Sequence, residues 1–162
     1  MSDAAAKRDR PASSPADDEF VFIDAQWNLR QSFRRDPLQR QFFDGLRSRR
    51  LLGARDPASR RVLFPPRGFA EETFSAISEL VPVGPGGVIR TITRLPGGGP
   101  NKRPPYYVVF VQLDGADSAA AGHLRGVDVE LGNPAELIGK RCHAVFKDEP
   151  KGDWADYWYE MD

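Results

Sequence analysis

Gly86-Gly87-Val88-Ile89-Arg90-Thr91-Ile92-Thr93-Arg94-Leu95 and Tyr106-Tyr107-Val108-Val109-Phe110-Val111-Gln112-Leu113-Asp114 decide the fold. Both runs are rich in β-branched and aromatic residues and bounded by Gly and Pro, the composition of strands. Between them Pro96-Gly97-Gly98-Gly99-Pro100-Asn101-Lys102-Arg103-Pro104-Pro105 is a long hairpin loop. Working outward, similar runs predict strands at 77–84, 119–126, 140–148 and 153–160. Gly84-Pro85-Gly86-Gly87 is a tight reversal, and Asn133-Pro134 opens a short helical turn through Leu137. Five or six strands with one small helix before the last hairpin predict a closed β-barrel of the OB type over residues 76–162.

Upstream, Arg61-Val62-Leu63-Phe64 is a brief strand stopped by Pro65-Pro66. A helix over about 37–49 is signalled by Asp36 as cap, Pro37 at the first position and Gln39 completing a capping box. Leu38, Phe42, Phe43 and Leu46 form its apolar stripe, and Arg47, Arg49 and Arg50 suit its C-terminal end. Before it, Glu19-Phe20-Val21-Phe22-Ile23-Asp24-Ala25-Gln26-Trp27 is an aromatic arm, preceded by a polar, Ala- and Pro-rich stretch that predicts a disordered tail. The expected order is therefore tail 1–18, arm and helix 19–50, a small two-sided segment 51–75, and the barrel.

With 162 residues, 40% hydrophobic and 28% charged at zero net charge, the chain has the length and composition of a modest globular domain. One cysteine excludes an intramolecular disulfide and a cysteine-rich zinc site. No run approaches a membrane span and the first residues carry no apolar signal, so the expected address is the cytoplasm. Nucleic acid is disfavoured: Lys147 to Asp162 holds six acids against two lysines, which would repel a phosphate backbone beside the rings of Trp154, Tyr157, Trp158 and Tyr159. The glycine-rich loops lack the Ser or Thr and the following helix of a nucleotide fingerprint.

Cys142 and His143 are neighbours in a strand, so their side chains point to opposite faces and cannot form a dyad. Cys142, Ala144 and Phe146 share the face expected in the core, whereas His123 has no second ligand at metal spacing. No catalytic set follows from these residues. Arg67, Lys102 and Arg103 are the cations available to a phosphorylated ligand.

Taken in order, Phe42-Phe43-Asp44-Gly45-Leu46-Arg47, Leu51-Leu52, Val62-Leu63-Phe64-Pro65-Pro66-Arg67 with Phe69, Gly87 to Thr93, Pro105 to Asp114 and Gly139 to Phe146 resemble the zinc-ribbon and OB-fold proteins of acyl-CoA metabolism, domain of unknown function thirty-five. The resemblance spans roughly residues 36–160. It implies a mostly β chain: an N-terminal helix, a rubredoxin-like ribbon over 51–75, then the OB-type barrel. It also implies two cysteine pairs, at positions occupied here by Asp56, Ser59, Ala70 and Thr73. None supplies a thiolate, so the expectation is a degenerate, zinc-free ribbon held by Val62, Phe64, Phe69 and Phe74.

The role implied is a non-catalytic accessory subunit that binds a thiolase-like enzyme, with a hydratase or second OB-fold subunit as further partner, and supports acyl transfer or carbon-carbon bond cleavage or formation. Under that reading Trp27, Phe42, Phe43, Phe64 and Phe69 are the partner anchors, and Arg67, Lys102 and Arg103 meet coenzyme A phosphates at the complex interface. No cofactor is expected to be bound stably. Two rival classes are a nucleic-acid-binding OB module and a stand-alone enzyme acting on acyl-CoA.

Overall fold

A computed structural model describes residues 29, 30, 32, 34–97, 104–128 and 133–162. The expected tail, the arm with Trp27, and the loop residues Lys102 and Arg103 lie outside the described residues. Helix α1 (Pro37–Arg47) starts as its sequence requires. Asp36 Oδ1 accepts from the Gln39 amide at 2.7 Å and Gln39 Oε1 accepts from the Asp36 amide at 3.3 Å, closing the capping box. It ends two residues earlier than expected because Arg49 turns into the left-handed region at φ 56°. The whole stripe of Leu38, Phe42, Phe43 and Leu46 is buried.

Strand β1 (Leu51–Arg55) is the centre of a three-stranded antiparallel sheet, flanked by β2 (Val62–Leu63) and β5 (Glu79–Val83). Between β2 and β5, β3 (Phe69–Ala70) and β4 (Ser75–Ala76) form a separate hairpin. The run expected as a first barrel strand over 77–84 thus belongs to the other sheet, pairing Leu51 with Val83 through Arg55 with Glu79. Gly84, at φ 67°, and Pro85 redirect the chain there, and the barrel begins only at Gly86.

The barrel is closed and five-stranded: β6 (Gly86–Leu95), β7 (Tyr106–Leu113), β8 (Ala119–Leu124), β9 (Arg141–Phe146) and β10 (Tyr157–Met161), in the order β10-β8-β7-β6-β9, with β9 and β10 paired to complete the ring. Its seam is a parallel contact of β8 with β10 at Leu124 and Tyr159. Ile89, Tyr107, Val109, Val111, Leu113, Cys142 and Tyr159 fill the interior with essentially no exposure. Gly122 makes room for that filling, since a Cβ there would sit 2.5 Å from Tyr159 Cε2.

The last strand starts later than the expected 153–160. Trp154–Asp156 is a 3-10 turn capped by Asp153, and Trp154 leaves the strand face to pack on the rings of Phe42 and Phe43, with centroids at 5.0 and 5.5 Å. Asp156 sits inside that turn, fully buried. Its Oδ2 accepts from the amides of Lys151, Gly152 and Asp153 at 2.9, 2.6 and 2.8 Å, and its Oδ1 pairs with the Lys147 ammonium. The loop shaped this way grips α1: Arg47 Nε donates to Lys151 O at 2.9 Å, and Gly152, at φ 80°, lies against the Phe43 carbonyl, where a Cβ would come within 2.9 Å.

Burial alone would raise the Asp156 pKa, but Lys147 and the backbone amides outweigh it and hold the carboxyl at about 2, below its ordinary 3.8. A depressed carboxylate stabilises the fold above its unfolded pKa and loses that contribution as pH falls through the folded one. Acid titration followed by near-ultraviolet circular dichroism should therefore show stability falling between about pH 4 and pH 2, and Asp156→Ala should remove about 3 kcal/mol at neutral pH in urea unfolding and flatten that acid limb. Gly122→Ala should cost roughly 1–3 kcal/mol in the same assay, because the Tyr159 ring must leave its place.

Candidate functional site

The segment between β1 and β5 carries most of the residues that the sequence singles out. Its strands are two residues long, too short to hold by their own ladders. Two other devices hold it. The first is a small apolar cluster of Leu38, Ala54, Ala70 and Ile77, separate from the barrel core. The second is Asp56, 2% exposed, at the end of β1. Its Oδ1 accepts from the Ala58 amide at 3.0 Å, while its Oδ2 accepts from Ser59 Oγ at 2.5 Å, the Ser59 amide at 3.2 Å and, across 17 residues, Thr73 Oγ1 at 3.0 Å. The Ser59 hydroxyl foremost, then the Ala58 amide and Thr73, hold the Asp56 carboxyl below its ordinary range against the opposing effect of burial.

The side of this segment facing the barrel is stitched to the turn after β7. Asp117 Oδ2 accepts from the Val62 amide at 2.7 Å, and Ser118 Oγ bridges the Phe64 amide at 2.7 Å and carbonyl at 2.9 Å. The other side is open. A cleft of about 90 Å³ is lined by Asp56, Ser59, Leu63, Arg67, Phe69 and Ala70. The rim is edged by the ion pairs Arg61 with Glu72 and Arg67 with Glu71, the latter at 3.1 Å. Beside it Phe69 and Phe74 meet edge to face at 6.3 Å, 47% and 81% exposed.

These positions correct the expected roles of several residues. Val62 and Phe64 are buried, whereas Phe69 and Phe74 are exposed, and Asp56 links the hairpin to the strand end. Of the anchors expected at a partner surface, Phe42, Phe43 and Phe64 are inside the core, because α1 turns Phe42, Phe43 and Leu46 into the main core and the Trp154 ring packs on the two phenylalanines. Among the described members of that set Phe69 is the exposed one, and Phe74, read from sequence as packing, is exposed beside it. Arg67 is exposed and paired with Glu71. The hydrogen-bonded set of Asp56, Ser59 and Thr73 was visible in sequence only as three non-cysteines, although a carboxylate opposite two hydroxyls is itself a complementary set.

No protein-family model matches the sequence, and no curated protein matches it. Solved structures do. A protein of unknown function from the DUF35 family of Sulfolobus solfataricus superposes with a TM-score of 0.59 at 17% identity, over 78% of this chain and 86% of that one. A chain of the Ltp2-ChsH2(DUF35) aldolase superposes with a TM-score of 0.58 at 19% identity, over 82% of this chain and 97% of that one. The chain has the fold of a DUF35 protein.

The zinc that the sequence resemblance implies for this DUF35-type fold does not fit the residues present. Ala70 offers no donor, Ser59 and Thr73 offer hydroxyls already donating, and Asp56 is the acceptor of both. Cys142, His143 and His123, weighed from sequence as nucleophile and bases, have separate surroundings. Cys142 is fully buried, with its thiol pushed up to about 11, first by burial and then by the charge of Asp162. His143 faces the other way and meets Asp162 Oδ1 through Nδ1 at 2.9 Å, and His123 stacks on Tyr106 at 5.1 Å. Trp158 lies under the Arg125 guanidinium at 4.1 Å and donates to Glu160 at 2.7 Å, while Tyr157 and Tyr159 turn inward, so the C-terminal rings form no stacking platform. Among the described residues no helix is long and apolar enough to cross a membrane.

Cys142 should resist a disulfide reagent such as dithionitrobenzoate in the folded chain at pH 8 and react fully in urea. Cys142→Ala should cost about 1 kcal/mol or less and leave the activity of any complex intact.

Proposed function

We propose that this chain is an accessory subunit of the DUF35 type that carries no catalytic residues of its own and serves a thiolase-type enzyme in acyl-CoA metabolism, in acyl transfer or carbon-carbon bond cleavage or formation. The observation that carries this reading is the likeness of fold to the chain of the Ltp2-ChsH2(DUF35) aldolase, a protein whose name couples a DUF35 chain to an enzyme. Three features support it. The ordered sequence resemblance over 36–160 points to the same family. Cys142, His123 and His143 are too far apart in role and orientation to give a nucleophile with its base. Last, the small-sheet segment, read here as a degenerate ribbon, exposes two phenylalanines side by side, and aromatic anchors of this kind usually carry binding energy at interfaces.

In this reading Phe69 and Phe74 meet the enzyme subunit. Arg67, just before the same hairpin, and Lys102 and Arg103 of the long loop meet the phosphates of the coenzyme A thioester that the complex handles. The buried Phe42, Phe43 and Phe64 act indirectly, by fixing the scaffold. A cytoplasmic address agrees with such substrates.

Affinity purification of the tagged chain from its native host, followed by mass spectrometry, tests the proposal. A thiolase-type subunit should co-purify at a defined stoichiometry; its absence, or thioester turnover by the isolated chain, overturns it. The double variant Phe69→Ser with Phe74→Ser should stay folded by circular dichroism and lose at least about 100-fold in affinity for that subunit, the loss of two anchors worth some 3 kcal/mol together.

A further inference from the structure

The geometry points to a hydrogen-bonded lock of Asp56, Ser59 and Thr73 as the cross-link that holds the segment between β1 and β5, in a chain that needs no metal there. Asp56 lies at the end of β1, Ser59 in the loop to β2 and Thr73 at the tip of the β3–β4 hairpin, so one carboxylate joins the central sheet to a hairpin with which it shares no ladder. Beside the small cluster of Leu38, Ala54, Ala70 and Ile77, the other ties that the described residues offer there are weak. The hairpin has two residue pairs, its apolar side chain facing inward is Ala70, and its rim ion pairs are exposed and therefore weak.

The acceptor set of Asp56 is used from both oxygens. Local amides of Ala58 and Ser59 fix the loop, and the Ser59 hydroxyl shares Oδ2 with Thr73. A buried carboxylate is stable only when satisfied in this way, so the two ends depend on each other: Thr73 anchors the hairpin, and Asp56 remains ionised because Thr73 and Ser59 donate to it. Thr73 directly precedes Phe74, so the lock also sets where the exposed ring stands.

Hydrogen exchange on the full chain reads this out. Thr73→Val, which removes the hydroxyl and keeps the shape, should speed exchange at the amides of Ala58, Ser59 and Ala70 at least 10-fold while leaving Val109 and Val111 in the barrel unchanged. Thr73→Ser, which restores a hydroxyl, should return protection to within about threefold of the original chain. A chelator such as phenanthroline should leave the pattern and the thermal midpoint of the original chain unaltered. Unchanged exchange in Thr73→Val, failure of Thr73→Ser to restore it, or a stoichiometric metal ion whose removal loosens the segment each overturns the inference.

Discussion

Asp156 is the interaction on which the assembly of helix and barrel rests. A charge taken fully out of water is tolerated only with near-complete compensation, and three backbone amides and one ammonium provide it. Satisfying the carboxylate leaves the surrounding loop one shape, and that shape carries a glycine thin enough to lie against a helix and an indole placed to cap two phenylalanines. The helix stripe is thereby committed inward. Through Gly45, which nestles on Leu52 where a Cβ would lie 2.8 Å from Cδ1, the helix in turn sets the start of the small sheet.

Asp56 repeats the same logic on a smaller scale. Of the described residues, these two are the buried charged ones, and both serve as nodes where loops meet. Short elements in a chain rich in Gly and Pro bury too little apolar surface to fix their mutual positions, so polar nodes take over. The division of labour is clear: apolar side chains fill the barrel, and hydrogen-bonded carboxylates fix what is attached to it.

The barrel was legible because its strands are long enough for alternation to speak. Tyr106 to Leu113 reads inside and outside in turn, and its neighbours follow. Helix α1 announced itself through its cap and stripe. What failed were features set by distant partners. The strand Glu79–Val83 looks like any barrel strand, and only its pairing with Leu51–Arg55 assigns it elsewhere. The strand reading of 153–160 missed Asp156, whose demand for three amides converts its first residues into a turn. At the candidate site the burial of single side chains was not legible. Phe42 and Phe43 resemble surface anchors until Trp154 arrives to cover them, and Phe74 resembles a packing residue although its ring is exposed.

Phe74 has a further consequence. Its backbone sits at φ 53°, a region where a side chain with Cβ is at a disadvantage and glycine or asparagine is at home. The ring it carries gains little from the rest of the chain, being mostly in solvent. A substitution towards glycine would relax the backbone and delete the ring at one stroke. Backbone ease and an exposed aromatic ring therefore make opposite demands at this residue, so laboratory screens that reward only thermostability would erode the ring first.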